Sequence, residues 1–264
     1  MTRVRAGLPW LLLGVLVLAQ IGYPLTDGTA RARLTVATVV LGYLLSVGHA
    51  LLTRGPGTAA ALVLVATGGG LAVEAVGVAT GVPFGFYDYS GELGPKLLGV
   101  PVIIPLAWTW MAWPAWLAAV RLVGPGPGRV VLAALGLATW DLFLDPQMVA
   151  EGYWTWQDPT PALPGLPGIP VGNYVGWLLV GLAMMTALAT VAAPAARVTR
   201  AGDGPMYALY LWTYGSSVLA HAVFLDLPAS AVWGAATMAV VAVPLAVVLA
   251  RAAARDRRTG RVGA

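Results

Sequence analysis

The chain has 264 residues, 59% of them hydrophobic and only 10% charged, and its mean hydropathy is +0.80. That charge content is far below the roughly 25% of a soluble domain, so lipid is the expected solvent for most of the chain. A net charge of +4 with no basic stripe or recognition fold argues against a nucleic-acid partner, and zero cysteines exclude disulfides, thiolate metal sites and cysteine nucleophiles.

Eight apolar segments follow in order, at roughly 8–24, 33–53, 58–80, 97–120, 129–146, 172–194, 205–226 and 229–250. Each is expected to form a helix that satisfies its own backbone, as a lipid-exposed segment must. The fold class is therefore all-α, a polytopic transmembrane bundle of eight helices. The short fifth segment and the Tyr-, Trp- and Ser-rich seventh leave a count of seven open. The first segment, behind Arg3 and Arg5, resembles a signal peptide but has no convincing cleavage site and reads as a retained helix. Residues 1–250 form one membrane domain, and residues 251–264 a short basic tail.

Charge placement sets the expected orientation. With the N-terminus in the cytoplasm, twelve of the fifteen basic residues fall on that side, and only Arg31, Arg33 and Lys96 fall outside. Both termini are then cytoplasmic, in a bacterial cytoplasmic membrane. Most acids fall the other way, and the two long connections, about 81–96 and 147–171, are both outer. The proline-rich part of the second, PTPALPGLPGIP, is expected to be extended.

The chemistry-bearing residues gather toward that outer half. Glu74 lies inside GGGLAVEAVGVATG, and a carboxyl group in an apolar helix faces a cavity or a polar partner, which makes it a candidate proton donor. Asp141 and Asp145 in TWDLFLDPQM are four apart and share a helical face, where two carboxylates would hold one proton between them. Pro146 is expected to end that helix. Asp88 and Glu92 have the same spacing and converge if residues 87–93 form a helical turn, with Lys96 as a partner for either. His221 could shuttle protons, whereas His49 reads as structural. Tyr87, Tyr89, Tyr153, Trp154, Trp156 and Asn173 are candidates for a cavity entrance, although aromatics also belong at membrane interfaces generally. Glycines 68–70 are best explained by close helix packing. No phosphate-binding loop, dinucleotide fingerprint or HExxH occurs, and no resident metal is expected.

Three blocks, PFGFYDYSGELGPKLLGVPVIIPLAWTWM, TWDLFLDPQMVAEGYWTWQ and GIPVGNYVGWLLVG, resemble the carotenoid biosynthesis membrane-protein family that includes carotenoid hydratases. The resemblance covers roughly residues 40–225. It implies addition of water across the terminal double bond of an acyclic carotenoid end, giving a tertiary alcohol. Lycopene-like, γ-carotene-like or C50 bacterioruberin precursors would be substrates, and other carotenoid biosynthesis enzymes possible partners. The shared blocks contain Tyr87, Asp88, Glu92, Lys96, Asp141, Asp145, Glu151, Trp154, Trp156 and Asn173. Such a reaction requires a shielded acid to protonate the alkene and a second carboxylate to orient water, with no cofactor. Asp141 or Asp145 is the expected donor and Asp88 or Glu92 the expected water-orienting group, with Glu74 able to take either part. A magnesium-dependent prenyl-lipid transferase and a non-enzymatic carotenoid or lipid carrier or transporter are the alternatives.

Overall fold

The computed structural model describes residues 3–192 and 194–262. Eight helices run through these residues. They are α1 (Arg3–Gly22), α2 (Gly28–Arg54), α3 (Pro56–Thr80), α4 (Ile104–Leu122), α5 (Pro127–Ala150), α6 (Val171–Val191), α7 (Gly204–Leu219) and α8 (Pro228–Val262). Six are long and apolar enough to cross a membrane, and the exceptions are α4 and α7. The expected transmembrane helical bundle is thus present, with eight helices among the described residues, six of them candidate membrane spans.

Helix α4 is the hub. Trp108, Trp113, Trp116, Met111, Leu117 and four of its alanines are all at most 1% exposed. It packs on α2, α3, α5 and α7, and a helix buried on every side has no lipid face to advertise. Its neighbours approach it closely because they offer small residues, as bilayer packing favours. A Cβ on Gly42 of α2 would stand 2.4 Å from the Trp110 ring, and one on Gly70 of α3 would stand 3.0 Å from Trp108. Gly70 therefore bears out the packing role expected of its cluster.

Two helices pass through interior prolines by borrowing donors. Proline removes the N–H that would bond the carbonyl four residues earlier. Pro146 frees the carbonyl of Leu142, and the Ser230 hydroxyl of α8 donates to it at 2.6 Å. Pro114 frees that of Trp110, and the Ser46 hydroxyl of α2 donates to it at 2.8 Å. Helix α5 accordingly continues past Pro146 to Ala150, which corrects the expected stop. The irregularity lies earlier, at Thr139–Trp140, where Pro127–Ala138 gives way to Asp141–Ala150.

Arg54, Arg129, Arg197 and Arg200 gather at one end of the bundle. Arg54 pairs with Asp203 at 2.7 Å, Arg200 donates to the Thr53 carbonyl, and Arg129 donates to the Arg197 carbonyl. At the other end lie the two long connections, tied to each other by backbone. Strand β1 (Tyr87–Tyr89) pairs antiparallel with β4 (Trp154–Trp156), in the register Tyr87↔Trp156, Asp88↔Thr155 and Tyr89↔Trp154. Two further ribbons flank this pair, β2 (Lys96–Leu97) with β3 (Val100–Pro101) and β5 (Ala162–Leu163) with β6 (Leu166–Pro170). Leu98 and Gly99, both with positive φ, turn the β2–β3 hairpin, so α4 starts at Ile104 and not near residue 97. The proline-rich connection is extended, as expected, and folds back as β5–β6. Arg31, which sits against the charge asymmetry, donates to the Glu151 carboxylate of this second connection. Residues 263 and 264 of the basic tail lie outside the described residues; the rest of the tail continues α8.

Candidate active site

Beneath the β1–β4 ribbon lies a cavity of about 140 Å³, lined by side chains from α1 to α7 and from both long connections. Glu74, Tyr87, Tyr89, Asp145, Trp154, Trp156, Asn173 and His221, all named from the sequence, contribute to its wall.

Glu74, in the last part of α3, is 4% exposed. Three donors converge on its two oxygens. Tyr87 and Tyr89 donate to Oε2 at 2.5 and 2.8 Å, and the Trp108 indole donates to Oε1 at 2.9 Å. The group is built as an acceptor, and both of its buried oxygens are satisfied by these donors. Burial first, and the neighbouring Glu74 charge second, push the Tyr87 and Tyr89 hydroxyls well above the ordinary tyrosine value. Both therefore remain donors at neutral pH.

The second centre is on α5. Asp141 and Asp145 are 0% and 3% exposed, one turn apart as their spacing requires. Asn173, at the start of α6, donates through Nδ2 to Oδ2 of both, at 2.9 Å in the case of Asp141. One amide thus holds the pair together. Asp145 lines the cavity, with Trp154 as a further neighbour. Asp141 lies behind it, and its Oδ1 has no hydrogen-bond partner among the described residues.

Aromatic rings supply most of the remaining wall. Trp108 lies flat on Trp177, with centroids 3.8 Å apart and planes 12° from parallel. Trp140 meets Trp177 edge-on at 6.5 Å, and Phe84 lies 6.3 Å from Trp108. Trp108, Trp140 and Trp177 were not among the residues expected to form the site. Trp108 and Trp177 lie in the second turns of α4 and α6, close to the end where tryptophan is ordinarily enriched, so neither stands out in the sequence.

Other expected residues lie elsewhere. Asp88 is exposed and accepts from the Gln157 side chain at 3.1 Å. Glu92 is also exposed, and neither lines the cavity. Residues 87–89 form a strand and not a helical turn, so the four-residue spacing does not bring the two acids together. Lys96 reaches the Tyr89 carbonyl at 2.6 Å and steadies the ribbon from outside. His221 lines the cavity, but its ring nitrogens face the Ser217 and Phe143 carbonyls at 2.8 and 3.0 Å, which braces the ring. His49 sits at the basic end, between the Trp113 indole and the Gly202 carbonyl. Among the described residues, no three His, Asp or Glu side chains form a metal-binding group.

Over 114 residues the chain is 40% identical to the bisanhydrobacterioruberin hydratase of Haloarcula japonica, a match that covers 41% of this chain and 37% of that relative. No solved structure matches. The profile of the family described as carotenoid biosynthesis protein matches residues 30–253, which span α2 to α8 and therefore every cavity-lining carboxylate. The chain belongs to the carotenoid biosynthesis protein family.

Proposed function

We propose that the protein is a carotenoid hydratase that adds water across the terminal double bond of an acyclic carotenoid end to give a tertiary alcohol. The observation that carries this reading is the presence of two separate carboxyl centres, Asp145 and Glu74, on one aromatic cavity. The name of the Haloarcula relative and the family membership support it.

Hydration of a trisubstituted alkene begins with protonation at the less substituted carbon. Asp145, as the member of the α5 pair that reaches the cavity, gives that proton, while Asp141 and Asn173 orient it. The electron pair of the double bond forms the new C–H bond and leaves a tertiary cation. The faces of Trp108 and Trp177 stabilise that cation. Water forms the C–O bond, and its surplus proton passes to Glu74, which Tyr87, Tyr89 and Trp108 hold in place. Return of that proton to the Asp145 carboxylate resets the site. No step calls for a cofactor, and the enzyme is a hydro-lyase in class.

A cavity of about 140 Å³ suits a branched end group, with the polyene leaving it between helices toward lipid. Lycopene-like, γ-carotene-like or C50 precursors all present such an end. The crowding of arginines at one end of the bundle supports a cytoplasmic position for both termini. Expression in a lycopene-producing host, with parallel hosts supplying monocyclic and C50 precursors, tests the reading. Pigments that gain the mass of one water per acyclic end are expected, and no gain with any precursor sinks it.

A further inference from the structure

A cation formed in an aromatic pocket is useful only if water reaches it, and most of the wall repels water. One part does not. Tyr23 of the α1–α2 turn, Thr35 and Thr38 of α2, and Gln147 of α5 line the cavity together. Tyr23, Thr35 and Thr38 are 6–7% exposed, and Gln147 is half-buried. The Tyr23 hydroxyl has Gln147 and Thr35 beside it, yet has no hydrogen-bond partner among the described residues. Thr35 and Thr38 spend their hydroxyl hydrogens on the Arg31 and Thr35 carbonyls, at 3.0 and 2.9 Å, which leaves their oxygens as acceptors. The Thr213 hydroxyl, also on the wall and 2% exposed, is likewise unpartnered. Buried polar atoms in this condition are ordinarily satisfied by ordered water.

The row reaches the surface. The Arg31 guanidinium lies 5.5 Å above the Tyr23 ring and donates to Glu151, and both charged side chains are about one-fifth exposed.

We propose that Tyr23, Thr35, Thr38 and Gln147 form a water-delivery site that feeds the cavity from the surface beside the Arg31–Glu151 pair. This rests on the hydratase reading and adds to it the source of the second substrate. The site acts after protonation. When water is delayed, the cation returns a proton from the newly protonated carbon to the Asp145 carboxylate and the double bond re-forms. In D₂O, a cation that lives long enough to turn about its new C–C single bond loses the original hydrogen in place of the added deuteron, and that reversal leaves deuterium in the recovered alkene.

The test compares the wild type with Thr35→Val, Gln147→Leu and their combination, using membranes that contain the full chain, an acyclic carotenoid and D₂O. The expected result is a ratio of hydrated product to deuterated alkene that falls about tenfold per lost hydrogen bond. Thr35→Ser, which keeps the hydroxyl, is expected to restore the ratio. An unchanged ratio in the variants of an active wild type overturns the delivery site alone, as does a parallel fall of hydration and exchange. A wild type that neither hydrates nor exchanges overturns the hydratase reading, and the delivery site with it.

Discussion

Trp108 and Trp177, from α4 and α6, share a stacked face at 3.8 Å, and the same Trp108 indole donates to Glu74. One side chain therefore joins the aromatic wall to the acceptor carboxylate. Trp108→Phe keeps a ring on Trp177 but removes that donor, and turnover is expected to fall about tenfold. Trp177→Leu removes a cation-facing ring worth about 0.5–2 kcal/mol, or up to roughly thirtyfold in rate. Product formation per mole of membrane-embedded protein measures both. Full activity in Trp177→Leu would remove the rings from the mechanism.

The α5 pair gives a graded series. Asp145→Asn removes the proposed acid, and a loss of about two to four orders of magnitude in hydration is expected. Asp141→Asn, one shell further from the cavity, is expected to cost less. Asn173→Ala leaves both aspartates without their shared donor, at about 1–3 kcal/mol of stability. Thermal unfolding in detergent, set beside turnover, separates a proton donor from a structural strut. Equal losses in all three would count against the assignment of the donor to Asp145.

Asp88 and Glu92 provide the contrast. Both are exposed and lie off the cavity, so Asp88→Asn and Glu92→Gln are expected to hydrate within about twofold of the wild type, as surface changes usually do. A tenfold loss in either would restore it as a water-orienting group.

Tyr87 and Tyr89 have a consequence at high pH. Their values are raised in the folded protein, while in the unfolded chain a tyrosine titrates near 10. Their contribution to stability is fully present below that value and is lost as pH rises toward the folded values, because the unfolded state releases its protons first. The melting temperature is expected to drop above pH 10, and to drop less steeply in Tyr87→Phe and Tyr89→Phe. Tyrosinate absorbance gives a second readout, since these two rings should ionise only with unfolding.

The two serines that serve proline-freed carbonyls can be tested without touching the site. Ser46 and Ser230 are 0% exposed. Replacement of either by alanine leaves a buried carbonyl unpaired, and a loss of about 1–3 kcal/mol is expected in unfolding measurements. Stability unchanged in both would mean that the carbonyls find other partners.

The helices were readable because hydropathy over some twenty residues is a local property, and Asp141 with Asp145 because one helical turn is local as well. Glu74 stood out as a lone carboxyl group in an apolar helix. What escaped depends on distant chain. Pro146 reads as a stop only when Ser230 is out of view, since the donor that rescues Leu142 comes from another helix. The stack of Trp177 on Trp108 cannot be seen until α6 is laid against α4. Asp88 was expected to converge with Glu92 under a helical assumption, and its actual direction is set by a strand partner in the next long connection.

That pairing also decides what kinds of change the protein can absorb. In β1 the side chains alternate, with Tyr87 buried, Asp88 exposed and Tyr89 turned in again, and Trp154, Thr155 and Trp156 repeat the pattern across the ladder. The ladder is pinned at its ends by the Ser90 amide on the Tyr153 carbonyl, at 2.8 Å, and the Gln157 amide on the Phe86 carbonyl, at 2.9 Å. A slip of one residue would swing both tyrosines into the solvent and drive Asp88 against the aromatic wall. Substitutions on the outer face of this ribbon are therefore cheap, whereas a single-residue insertion or deletion just before Tyr87 would strip Glu74 of two donors at once without altering any helix.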